Sequence, residues 1–181
     1  MDYRSNNGTV NFVAGIPVFS TSISLKKNHD TIFGFVFDYS NNDVYYAIKD
    51  EGAFCNKKPI HVSDCDKLSD SIISFSLSSK YTKEEAKKAM KLEEKLLFET
   101  RGVRTICSSA IELCWLASGK MEGFLKVKSS IGLGSTAGKL IVQEAGGKVT
   151  NLLNETSKEI DNMLATNGLI HEKLTRIYSC N

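Results

Sequence analysis

Met1-Asp2-Tyr3-Arg4-Ser5-Asn6-Asn7-Gly8-Thr9-Val10-Asn11-Phe12 opens the chain, and the rest is read outward from it. The stretch begins polar. Asn7-Gly8 marks a tight turn, because both residue types tolerate positive φ. Val10 and Phe12 then start a strand-like run. With Val18, Ile23 and Leu25 they predict a β segment over 10–25, interrupted at Gly15-Ile16-Pro17.

Downstream, short polar turns alternate with β-branched and aromatic runs. Lys26–Asp30 is a turn, Thr31–Tyr39 a strand, Ser40–Asp43 a turn and Val44–Ile48 a strand. Lys49–Gly52 turns into Ala53-Phe54-Cys55, and Asn56–Pro59 turns again. Such short links predict an antiparallel meander over 1–70. After Asp70 helices enter. Ser71–Leu77, Val103–Ile106, Gly123–Val127, Lys148-Val149 and Met163–Ala165 read as strands. Thr82-x-x-Glu85 and Ser109-x-x-Glu112 read as capping boxes opening helices. Ser135 caps a third helix that ends at Gly146-Gly147, and Asn167 caps a fourth. The fold class predicted is α+β, in one domain of 181 residues: mainly antiparallel strands over 1–70, alternating strands and helices over 71–181.

Composition narrows the function. Hydrophobic residues make up 41% and charged residues 24%, as in ordinary globular chains. Twenty-three basic against 21 acidic residues, with no long basic block, give no nucleic-acid signal. No apolar run approaches the ~20 residues of a membrane span, and the polar start predicts no leader peptide. Cys55, Cys65, Cys107, Cys114 and Cys180 are odd in number and match no zinc spacing, which predicts free thiols in a reducing cytoplasm. His29, His61 and His171 assemble no catalytic group by spacing and are expected on the solvated surface. The helix carrying Ile111, Leu113, Trp115 and Leu116 reads as core.

The order of motifs resembles the inositol monophosphatase and fructose-1,6-bisphosphatase superfamily of metal-dependent sugar phosphatases. The matching text is Gly8-Thr9-Val10-Asn11-Phe12 through Gly15-Ile16-Pro17-Val18-Phe19, then Gly52-Ala53-Phe54-Cys55-Asn56. It continues with Ser108–Cys114, Ala117–Phe124, Ala137–Gly147 and Ala165-Thr166-Asn167, covering essentially the whole chain in order. The resemblance implies a layered sugar-phosphatase fold. It also implies chemistry on two or three Mg²⁺ ions held by carboxylates, which bind phosphate and activate water.

This chain departs from the ligand pattern that the resemblance implies. Arg4 and Asn7 stand where the family places two Asp residues. Gly134, within a gap of one, stands where it places the Asp before the helix written Thr136-Ala137-Gly138. Leu125-Lys126-Val127-Lys128 replaces the stretch holding an acidic sugar contact. The family's N-terminal region, with a further Glu ligand, is expected to be missing, so the fold is read as truncated. An Arg charge ~4 Å from a divalent ion repels it by about 8 kcal/mol at an effective dielectric near 20.

Several expectations follow. The chain is a catalytically inactive homologue, with no catalytic residue, no metal ligand and no cofactor, acting as a binding or structural subunit. One alternative is a Mg²⁺-dependent sugar-phosphate phosphatase. Another is a metal-independent phosphate sensor using Arg4, Gly8, Thr9, Ser135 and Thr136. Without the N-terminal cover, one face of the first sheet (Phe33, Phe35 and Phe37) is left apolar and open. That predicts a homodimer or a protein complex through this face.

Overall fold

The computed structural model describes residues 2–77, 81–127, 134–155 and 162–179. Six strands form sheet A in simple sequential order, every neighbour antiparallel: β1 (Asp2–Asn7), β2 (Ser20–Lys27), β3 (Asp30–Asp38), β4 (Asp43–Ile48), β5 (Gly52–Cys55) and β6 (Lys58–Pro59). This is the predicted meander. Two of its links are two-residue turns with both residues at positive φ, Asn28-His29 between β2 and β3 and Asn56-Lys57 between β5 and β6. Those backbones match the twist of the strands they join.

Sheet B is mixed. Its order is β10 (Lys148–Thr150), β11 (Met163–Thr166), β9 (Gly123–Lys126), β7 (Ile72–Ser76) and β8 (Gly102–Arg104). The pairs β7–β8 and β7–β9 are parallel, while β11 is antiparallel to both its neighbours. The helices are α1 (Thr9–Val13), α2 (Lys83–Glu99), α3 (Ser109–Ala117), α4 (Gly134–Glu144) and α5 (His171–Ser179). The α+β class is as predicted.

The layers follow from the apolar faces. One core cluster joins Val36, Tyr45, Ala47 and Ala53 of sheet A to Leu113, Leu116, Ala137 and Ile141 of α3 and α4, and on to Phe124, Met163 and Ala165 of sheet B. A second joins the other face of sheet B, through Ile73, Phe75, Leu125 and Leu164, to Leu92 and Leu96 of α2 and Leu174 of α5. The helix pair α3 and α4 is thus sandwiched between the sheets. Helix α3 is buried almost throughout, as its sequence predicts.

Carboxylates tie the loops down. Glu144 Oε1 and Oε2 accept from the backbone amides of Asp50 and Gly52, both at 3.0 Å, and so fasten the β4–β5 hairpin to the end of α4. Glu122 accepts from Ser63 Oγ at 3.0 Å and from the Ile72 amide at 2.7 Å. Asn167 donates to the Cys65 carbonyl at 2.7 Å, while its own oxygen accepts from the Leu169 and Ile170 amides at the entry to α5.

Four local readings change. Thr9–Val13 is a helix, not the start of a strand, because the chain turns at Gly8 and Asn11 is pulled inward (below). Thr82 and Glu85 form the predicted capping box, but Ser109 and Glu112 do not. Ser108 is the N-cap there, and Glu112 reaches back to its amide. Ser135 lies inside the first turn of α4 rather than at its cap.

The fourth change is His171, which is fully buried, not solvated. Its Nε2 and Nδ1 are each 2.9 Å from a hydroxyl, of Thr150 and Thr166 respectively, so the neutral ring bridges β10 and β11. Burial first, then the Lys148 charge, push its pKa down to about 4, against a smaller opposing pull from Glu172. The unfolded chain therefore takes up a proton at higher pH than the folded one. Stability is expected to fall as pH drops from about 6.5 towards 4, by at most about 3 kcal/mol. Urea melts at a series of pH values should show this slope, and His171→Gln should flatten it.

Candidate functional site

The turn at Asn7-Gly8-Thr9 sits where the helix layer meets the edge of sheet A. Gly8 has φ 76°, and a Cβ there would stand 2.7 Å from the Val18 carbonyl oxygen. Only glycine meets both demands. Asn11, buried on α1, donates through Nδ2 to the Val18 carbonyl at 2.9 Å and to the Ile106 carbonyl at 3.0 Å. One side chain thereby fixes the turn against the loop that leads into α3.

That loop carries the second half of the site. Cys107 is exposed and holds a left-handed backbone, φ 61°. Ser108 follows, 1% exposed. Its Oγ would lie 3.2 Å from a Cβ on Gly8 and has no hydrogen-bond partner. Across the turn, Ser20 pairs with Asn7 in register, and its buried Oγ is also without a partner. Asn7 itself donates to Ser22 Oγ at 2.9 Å.

Behind Ser108 lies Glu112, fully buried. It accepts from the Ser108 amide at 3.0 Å and from Ser74 Oγ of β7. Burial raises its carboxyl pKa, against the pull of these hydrogen bonds and, last, of Lys126. Lys126 ends β9 with its Nζ 3.5 Å from Ser109 Oγ. Burial holds its amine below the usual lysine value, with Glu112 and Cys107 acting the other way. Lys139 of α4 is lowered likewise, by burial first and then by the charges of Lys126 and Lys26.

The predicted residues are therefore only partly brought together. Asn7, Gly8 and Thr9 meet the Ser108 loop. Gly134, Ser135 and Thr136 form the first turn of α4, followed by Ala137, which lies against Gly34 of β3. Arg4 lies on β1, paired with Ile23 in register. Sequence reasoning passed over Ser20, Ser108, Lys126 and Lys139 as a group. Lys126 alone was noted, as the replacement of an acidic contact.

Comparison with known proteins fits this geometry. The inositol monophosphatase family model matches residues 7–180, and the chain belongs to that family. A fructose-1,6-bisphosphatase/inositol-1-monophosphatase of Thermotoga maritima is 30% identical over 172 residues, spanning 94% of this chain and 64% of that protein. The Nus factor SuhB of Pasteurella multocida is 30% identical over 176 residues, spanning 96% and 65%. The solved structure of a Thermotoga maritima IMPase superposes with a TM-score of 0.89 at 28% identity, covering 97% of this chain and 67% of that one. The chain thus spans a little under two thirds of the length of these curated relatives.

Family membership corrects one expectation. The absence of a cofactor does not stand, because the chain belongs to a family whose chemistry the resemblance assigns to Mg²⁺, and relatives at 30% identity carry phosphatase names. The described residues at the turn do not by themselves suit that ion. Mg²⁺ seeks anionic oxygens. Asn7 offers an amide already bonded to Ser22, and the hydroxyls of Ser20 and Ser108 are neutral. Among the described residues no group of three His, Cys, Asp or Glu could hold a metal ion. No step is routed through the ion here.

Proposed function

We propose that this member of the family binds rather than hydrolyses, and that it works as a subunit of a protein assembly. The observation that carries the assembly is the outer face of sheet A. Ile23 and Leu25 of β2 are 41% and 38% exposed. Phe33, Phe35 and Phe37 of β3 and Tyr46 of β4 are half-buried on the side away from α3 and α4. Tyr46 stacks on Phe54 of β5 with ring centroids 5.1 Å apart. An apolar face this continuous marks an interaction surface, with a second copy of the chain as its first candidate occupant. The replacement of carboxylates by Arg4, Asn7 and Gly134 supports binding over turnover. The free thiols of Cys55, Cys65, Cys107 and Cys114 support a reducing compartment.

Two measurements test this. Native mass spectrometry should show a dimer or larger species, and Phe35→Asp should convert it to monomer without loss of secondary structure. A monomeric parent protein that pulls down no partner from its source removes the subunit reading. Phosphate release from inositol monophosphate and fructose bisphosphate with Mg²⁺ should stay at background. Turnover there returns the chain to the phosphatases whose names its relatives carry.

A further inference from the structure

Two unsatisfied features of the site lie beside each other. The first is electrostatic. Lys126 and Lys139 are half-buried, yet neither has an ion-pair partner among the described residues. Lys139 lies one helical turn beyond Ser135 and feels both Lys126 and Lys26 as neighbouring charges. A half-buried ammonium without a counter-charge is unfavourable. The second is the pair of orphan hydroxyls. Ser108 Oγ is buried beside Gly8 at the start of α3, and Ser20 Oγ is buried opposite Asn7. A buried hydroxyl left unbonded costs about 1–3 kcal/mol and calls for an explanation. Ser108 occupies the N-cap position, but its hydroxyl makes no capping bond.

One occupant would satisfy both. An oxyanion accepts from hydroxyls, from ammonium groups and from the amides at the start of a nine-residue helix such as α3. Lys126 Nζ is already beside Ser109, the first residue of that helix. We infer that Lys126, Lys139 and the hydroxyls of Ser108 and Ser109 form a seat for a phosphate group, carried by a small phosphomonoester or by free phosphate. Positive side chains of this chain then meet the anion. The inference rests on the binding reading above only in that the anion is held and not cleaved.

The test is the thermal melting of the full chain with inorganic phosphate and, separately, glycerol 2-phosphate. Both should raise the melting temperature in a dose-dependent way. A shift with glycerol 2-phosphate at lower concentration assigns the seat to a phosphomonoester, and equal shifts assign it to free phosphate. Lys126→Met, Lys139→Met and Ser108→Ala should each weaken the response about tenfold or more. Lys87→Gln, on the exposed face of α2, should leave it unchanged. Removing an unpaired ammonium should not lower the melting temperature without ligand, so weakened binding is separable from misfolding. The inference is overturned if phosphate gives no shift at tens of millimolar, or if both Lys→Met variants respond like the parent. Phosphate release is read in the same samples, so a seat that fails to bind and a chain that turns over are separate results.

Discussion

Glu112→Ala is expected to lower the unfolding free energy by about 3–5 kcal/mol, the largest loss from any single polar side chain in the helix layer. The carboxyl is fully buried, and it is the shared acceptor for two elements that do not otherwise meet: Ser74 of β7 and the Ser108 amide at the start of α3. Alanine orphans both donors and leaves a void. Glu112→Gln keeps the volume and one acceptor oxygen, so it should lose less. The pH dependence supplies a second readout. Burial raises the folded carboxyl pKa above its ordinary value, so the folded chain holds the proton more tightly than the unfolded one. This contribution is largest below the ordinary carboxyl range and is lost as pH rises through the folded value. The slope is opposite in sign to that of His171, and Glu112→Gln should abolish it while leaving the His171 slope in place. Urea denaturation of both variants across pH checks this. A loss under about 1 kcal/mol for Glu112→Ala would mean that the Ser108 loop is held by Asn11 alone.

Sheet A was legible because its code is local. Alternation along Thr31–Tyr39 and Val44–Ile48 and the polar turns between them determine pairing with the next strand, so the meander and its apolar outer face followed from the sequence. The family motifs were legible for the same reason. Gly8, Asn11, Asn56 and Asn167 act on backbone within their own turn or at a fixed neighbour. What could not be read is what depends on long-range packing. His171 looks like a surface residue on its helix, and only Thr150, 21 positions away, and Thr166 reveal it as a strand bridge. Ser109 and Glu112 have capping-box spacing, yet Ser74, 38 positions away, draws the carboxyl inward. The cation pair was hidden similarly. Lys126 and Lys139 sit on a strand and a helix, and their common surroundings exist only once α4 lies between the sheets.

That placement of α4 rests on a glycine, and Gly34→Val is accordingly expected to lose about 3 kcal/mol or more or to yield insoluble protein. Gly34 lies mid-strand in β3, where glycine normally weakens a sheet. A Cβ added there would stand 2.8 Å from the Ala137 carbonyl oxygen and 3.0 Å from its Cα. Both atoms are backbone, so no side-chain rotation relieves the contact, and the helix must move away. On its other side α4 is equally close. A Cβ on Gly138 would stand 2.7 Å from Leu113 Cδ1 of α3, so the helix has nowhere to retreat without opening that contact. Gly34→Ala adds one methyl and should cost about 1–3 kcal/mol, the usual range for overpacking. Thr31→Val, on the outer face of the same strand, should stay within about 0.5 kcal/mol. The Ala variant also tests how structure and binding are linked. Lys139 follows Ala137 by two residues, so a helix pushed off sheet A carries its ammonium away from Ser108. A Gly34→Ala protein that still folds should therefore lose its phosphate-induced thermal shift out of proportion to its loss of stability. If it retains the full shift, α4 is not what positions the anion seat.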